Sequence, residues 1–166
     1  MSSFDPAESH NPIAADLDAA QKFADSIPHG RELGIRVEAI APGRTQLVLP
    51  YQKRLIGNPE TGVLHGGVIT TLIDTASGCA VFSALPDLIS IATLDLRIDY
   101  LKPATPREPL RADARCYRLT RNIGFTRAVA YHGDPDDPVA NSVGTFMMNS
   151  SDAVFGLEEL AGDTST

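Results

Sequence analysis

One stretch governs what this chain can become. From Gly66 to Leu85 the sequence reads GGVITTLIDTASGCAVFSAL, apolar or small throughout except for a single charge, Asp74. The next charged residues are Glu60 upstream and Asp87 downstream, and Pro86 stops the run. At 3.6 residues per turn, Val68, Ile69, Leu72, Ile73, Ala76, Cys79, Ala80 and Phe82 make a broad apolar surface. A helix of this kind has no solvated side of its own and must be covered by something that curves around it.

The cover follows directly in the chain. After Pro86 the period changes from helical to two: Leu94, Leu96, Ile98 and Tyr100 alternate with Thr93, Asp95, Arg97 and Asp99. Leu110, Ala112, Ala114 and Cys116 alternate with Arg111, Asp113, Arg115 and Tyr117, and GFTRAVAYHG and DPVANSVGTFMMN complete four strands. Ahead of the helix, NPIAADLDAAQKFADSI predicts a helix over about 12–27, with Asn11 as cap and Pro12 at its first position. GIRVEAIAPG and RTQLVLPY predict two strands joined at Pro42-Gly43, and residues 51–63 read as a loop. The order is helix, two strands, a long helix, four strands. An α+β fold satisfies it, with one antiparallel sheet wrapped around the apolar helix.

At 166 residues, with 43% of them hydrophobic, the chain suits one domain with its own core. Residues 1–11 read as disordered, 12–150 as that domain and 151–166 as a tail. Cys79 and Cys116 sit in apolar patterned segments and read as small hydrophobes of a reducing compartment, so the expectation is cytoplasmic, with neither secretory signal nor membrane span. His10, His29, His65 and His132 are scattered without ligand spacing, and no metal or cofactor is expected. The net charge of −7 argues against nucleic acid. Yet eight basic residues stand against three acidic ones between Arg97 and Arg127, a block of +5 that leaves −12 elsewhere. Such a block is either a solvated strand face or a site for a small anionic ligand.

Two features of the long helix carry chemistry. Gly67, Thr70, Thr71, Asp74, Ser77, Gly78 and Val81 form a narrow face of small and polar groups centred on Asp74. Such a face suits close approach by a ligand or a second chain, and a carboxylate partly desolvated there becomes a stronger base. At the helix start, Gly66 and Gly67 leave backbone N–H groups open to a carbonyl oxygen, where the helix dipole favours developing negative charge. The simpler reading is that these glycines only let the chain turn sharply.

Asn58, then after six intervening residues HGG at 65–67, then LID ending in Asp74, and a strand ATLDLRIDYLKPA at 92–104 resemble the hotdog-fold acyl-CoA thioesterases of the phenylacetate-pathway type. The resemblance covers about residues 30–148. It implies a hotdog fold, an acyl-CoA substrate, and at least homodimers, commonly paired into homotetramers, with active sites at the dimer contact. By position it makes Asp74 the catalytic base or nucleophile and has Gly66 offer its N–H to the thioester carbonyl. Asn58 and His65 orient that carbonyl, and Thr93 helps hold the attacking water. Asp74 and Thr93 are then supplied by the subunit opposite Gly66. Gly67, Lys102 and Arg121 are expected to contact substrate, the two cations through coenzyme A. Phe125 departs from the pattern, since relatives often carry a second basic residue there. A noncatalytic acyl-CoA-binding module is the alternative on the same fold. An enoyl-CoA hydratase is less well matched, because GNPETGVLH lacks the aspartate that such sites place before Asn-Pro.

Overall fold

The computed structural model describes residues 11–14, 16–87 and 89–149. The expectations for residues 1–10 and for the tail from 151 onward lie outside the described residues.

The long helix, α3, spans Gly66–Ala84 with Leu85 as its C-cap. Leu72, Ile73, Ala76, Ala80 and Val81 have no exposed surface at all. Fully burying a side chain of leucine or isoleucine size contributes about 1.5–3 kcal/mol, so this helix anchors the fold. It is long and apolar enough to cross a bilayer, with mean hydropathy 1.3, but 67% of that window is buried inside the protein.

Two short helices precede the first hairpin, α1 (Leu17–Ser26) and α2 (Pro28–Leu33). The single N-terminal helix expected over 12–27 is instead a 3-10 turn at Pro12–Ala14 followed by α1. Asp16, not Asn11, caps α1, its Oδ1 accepting from the N–H of Asp18 at 2.8 Å. Asn11 has a longer reach. Its Nδ2 donates to the carbonyls of Phe82 (2.8 Å) and Leu85 (3.2 Å), clasping the end of α3, and its side chain is buried.

Strands β1 (Arg36–Ala41) and β2 (Arg44–Leu49) form the expected hairpin. Gly43 supplies the positive φ of 71° that a Pro-Gly turn of this type requires at its third position. The segment expected as a loop holds a 3-10 turn at Lys53–Leu55 and a small two-stranded sheet, β3 (Ile56–Asn58) with β4 (Val63–Leu64). After α3 come β5 (Ser90–Tyr100), β6 (Leu110–Leu119), β7 (Ile123–Tyr131) and β8 (Ala140–Asn149). The main sheet is antiparallel in the order β1-β2-β6-β7-β8-β5, leaving β1 and β5 at its edges.

The sheet wraps α3, which packs chiefly on β2, β6 and β7. Its inner face there is lined by Ala112, Ala114, Ala128 and Ala130, all buried, so the helix axis comes close to the strands. Closest of all is Gly124, where an added Cβ would lie 2.8 Å from Val81 Cγ1. The wrapping corrects the wheel drawn from sequence. Ser77 and Val81, assigned to the open polar face, have no exposed surface, because a curved sheet covers more of a helix than a flat one does. The part left half-open is the narrower strip of Thr70, Thr71, Asp74, Thr75 and Gly78, with Gly67 exposed at its start.

Candidate active site

β5 carries an irregularity of register between Thr93 and Asp95, opposite Phe146 and Thr145. A bulge inserts one extra residue and reverses which side chains face inward beyond it. On the C-terminal side, Leu96 and Ile98 pack on the core, as the alternation predicts. On the N-terminal side the alternation inverts. Leu94 is 54% exposed, whereas Ile91 packs on the core and Thr93 turns in toward α3.

The result is a hydrogen bond. The Thr93 hydroxyl donates to Asp74 Oδ1 at 2.9 Å. Asp74 is half-buried, and burial raises its carboxyl above the ordinary aspartate range, while the bond from Thr93 draws it part of the way back. Asp74 Oδ2 has no partner among the described residues. An apolar groove of about 270 Å³ opens beside this pair. Its sides are α3 and the first residues of β5, and α1 lies over it with Phe23 and Ile27. Cys79 also borders the groove, and burial, with the nearby Asp74 charge adding to it, pushes its thiol up to about 12, so it stays protonated at neutral pH.

The mouth of α3 forms a second cluster. His65 is its N-cap, with Nδ1 accepting from the Gly67 N–H at 2.9 Å. That bond fixes the neutral tautomer with the proton on Nε2, and it occupies the Gly67 N–H. Gly67 therefore does not offer the free donor expected of it. The Gly66 N–H has no acceptor among the described residues. The Gly66 carbonyl accepts from the Tyr100 hydroxyl at 3.0 Å, and that hydroxyl lies 2.7 Å from Thr70 Oγ1. Tyr100 thus ties the far end of β5 to the first turn of α3, a contact that nothing in the local sequence marks.

Asn58 is exposed at the end of β3, where its Oδ1 accepts from Glu60 N–H at 3.0 Å and shapes the turn. The strand before it presses on the helix cap, since a Cβ at Gly57 would meet His65 Cα at 2.7 Å. Lys102 borders a surface depression with Gly66 and Tyr100 and is ion-paired to Asp137. Arg121 is exposed in the β6–β7 turn, close to Gly124 and so to the Val81 region of α3. The structure therefore brings together Asp74 with Thr93, and separately His65, Gly66 and Gly67 with Lys102 nearby. The two groups ride on one helix, and eight residues at 1.5 Å each hold Asp74 about 12 Å from Gly66 along its axis. Among the described residues no cluster of three His, Cys, Asp or Glu is placed to hold a metal ion.

Much of the basic block is spent on its own neighbours. Arg111 grips Glu38 through two bonds of 2.6 and 3.0 Å, Arg97 pairs with Asp99, and Arg127 lies 5.0 Å over the Tyr117 ring. Those three residues conform to the solvated-face reading. Lys102 is paired as well, with Asp137, whereas Arg121 has no ion-pair partner among the described residues.

A model of the thioesterase superfamily matches residues 61–139, the segment from the β3–β4 turn to the residue before β8. The chain belongs to the thioesterase superfamily. Membership places it among thioester hydrolases and agrees with the α+β hotdog architecture described above. The medium/long-chain acyl-CoA thioesterase YigI of Escherichia coli is 29% identical over 141 residues, covering 77% of this chain and 90% of that one. The VNG_1336C protein of Halobacterium salinarum is 44% identical over 95 residues, which span 55% of this chain and 62% of that relative. Among solved structures, a Pseudomonas aeruginosa protein superposes with TM-score 0.73 at 47% identity, over 82% of this chain and 98% of that one. The phenylacetic acid degradation protein PaaI of Thermus thermophilus superposes with TM-score 0.63 at 25% identity, over 72% of this chain and 97% of that one.

Proposed function

We propose that this thioesterase hydrolyses acyl-CoA thioesters, with Asp74 as general base and the Gly66 N–H as the donor that stabilises the oxyanion. The observation that carries this reading is the Thr93–Asp74 pair, 2.9 Å apart at the mouth of an apolar groove. Asp74 Oδ2 and Thr93 Oγ1 can both accept from one water molecule and aim it at the thioester carbon. Asp74 takes the proton as the water oxygen bonds to carbon. The carbonyl becomes an oxyanion, which a helix-terminal N–H and the helix dipole stabilise. The C–S bond then breaks, the oxygen returns to a carbonyl, and coenzyme A leaves as a thiolate. A thiol is acidic enough, near pKa 8.5, that this departure needs no strong acid, and the proton held by Asp74 returns to solvent or to the departing sulfur. A half-buried carboxylate with a raised pKa is a better base than a solvated one, which supports the role assigned to Asp74.

Both groups must touch the same carbonyl, and about 12 Å of helix separates them within one copy. The site is therefore completed by a second copy whose α3 runs antiparallel, so that Gly66 of one faces Asp74 of the other. His65, with its Nε2–H free, orients the thioester oxygen beside Gly66, and Asn58 is available at the rim. The antiparallel arrangement also brings Lys102 of one copy toward the Arg121 end of the other, giving the phosphates of coenzyme A two cations. Acyl-CoA as substrate is supported by the name of the Escherichia coli relative.

The test is release of free thiol from acyl-CoA by the wild-type chain, Asp74→Asn and Asp74→Ala. Losing a catalytic base costs on the order of 100-fold or more, and turnover by either variant close to wild type overturns the assignment. Light scattering at assay concentration is expected to give a dimer or larger. An active monomer overturns the two-copy site.

A further inference from the structure

The groove beside Asp74 has a definite length and a definite end. It runs along α3 from Asp74 to Phe82, while the start of β5 and the Ile89 before it run back beside it from Thr93. Its floor at mid-length is Gly78, where an added Cβ would lie 3.6 Å from Ile91 Cδ1 and 3.7 Å from Phe146 Cε1. Its far wall is a stack of two rings, Phe23 of α1 on Phe82 of α3, with centroids 4.3 Å apart and planes 13° from parallel. That stack is backed by the small buried cluster of Ile13, Ala20 and Phe82. The one charged group on the lining is Asp74, at the mouth, and Ser26, Thr75, Ser90 and Thr93 add only hydroxyls.

From these features we infer that the groove takes the substrate's straight acyl chain, and that the Phe23–Phe82 stack ends it at about ten carbons. The inference rests on the reading of Asp74 as the general base of thioester hydrolysis. Two measures of the groove agree. Asp74 and Phe82 are eight residues apart, about 12 Å along the helix. An extended chain advances about 1.2 Å per bond, taking the 3.3–3.6 Å of a residue over its three bonds, which allows about ten bonds. The volume of about 270 Å³ holds about nine heavy groups at roughly 30 Å³ each, the share a water takes in the liquid. About 270 Å³ spread along about 12 Å, with a glycine for a floor, suits a single polymethylene chain better than a bulky or branched acid.

The readout is kcat/KM for saturated acyl-CoAs from butanoyl to hexadecanoyl. Each methylene buried adds roughly fourfold, so the wild-type chain is expected to climb with length to about C8–C10 and then level or fall. Gly78→Ala puts a methyl on the floor between Ile91 and Phe146. It is expected to lower the decanoyl-to-butanoyl ratio at least tenfold, and alanine is the better helix former, so lost folding does not explain the change. Phe23→Ala removes the end stop and is expected to raise the tetradecanoyl-to-decanoyl ratio about tenfold. Circular dichroism on both variants confirms that they are folded. Wild-type hydrolysis with length ratios unmoved in both folded variants overturns the groove as the acyl site. Ratios moving in the same direction in both overturn the stack as its stop. A wild-type chain that cleaves none of the series removes the thioesterase reading itself, a different failure from either.

Discussion

Thr93→Val keeps the size and β-branching of the side chain and removes one thing, the hydroxyl that donates to Asp74 Oδ1 at 2.9 Å. Burial raises the Asp74 carboxyl and this bond opposes it, so deleting the bond leaves burial unopposed and the pKa rises further. The size of the rise follows from the bond. A hydrogen bond to a charged acceptor contributes about 1.5–3 kcal/mol, and one pKa unit corresponds to about 1.4 kcal/mol. Asp74 keeps part of its surface in water, which screens the bond, so the lower end of that range applies, about 1.5 kcal/mol. The base works only when ionised, so activity falls on the acid side of its pKa. The assay is kcat/KM for an acyl-CoA against pH, which reports the free enzyme's ionisation. The acid limb of Thr93→Val is expected at higher pH than that of the wild type, and Thr93→Ser, which keeps a donor, is expected to track the wild type. An acid limb that stays in place or moves to lower pH in Thr93→Val would falsify the claim that this hydroxyl tunes Asp74.

The remaining predictions concern stability. The folded chain holds the Asp74 proton more tightly than the unfolded chain does, so stability falls as pH rises from about 3.8 through the raised folded value. Asp74→Asn removes that penalty: its Tm is expected to exceed wild type at neutral pH and the gap to close toward pH 4, and a constant gap across the range would contradict it. Ser77→Ala removes a fully buried hydroxyl with no partner among the described residues and is expected to be neutral or to stabilise by up to about 1 kcal/mol in urea denaturation; clear destabilisation would mean the hydroxyl is satisfied after all. Gly124→Ala presses a methyl within 2.8 Å of Val81 and is expected to cost about 1–3 kcal/mol. Pairing it with Val81→Ala is expected to recover at least about 1 kcal/mol relative to the sum of the single changes, and simple additivity would show that the two sites do not touch.

Much of this architecture was written locally. The apolar run from Gly66, the stop at Pro86 and the switch to period two at Leu94 lead to α3 and the strands after it, with the helix end displaced by one residue. The Pro42-Gly43 turn was equally plain. What escaped was decided by tertiary geometry. The bulge at Thr93 has no signature in ATLDL, and strict alternation pointed Thr93 outward, away from the acid it contacts. Only the family resemblance suggested a role for it. Ser77 and Val81 looked like groove residues because a helical wheel carries no information about how far a sheet curls around it. Phe23 and Phe82 meet across 59 positions of chain, and neither residue's neighbours hint at the other. In sequence the helix mouth reads as two open glycine donors, but the His65 side chain caps one of them and leaves Gly66 as the donor that remains.

Because base and amide donor ride on the same rod, the number of residues in α3 matters as well as their identity. One residue inserted or deleted between Gly66 and Asp74 turns everything beyond it by about 100°. The acid would swing off the groove and face β-sheet, while the apolar side would rotate into water. Variants of this protein that keep activity should therefore differ in α3 by exchange of side chains, with gaps and insertions confined to the turns on either side.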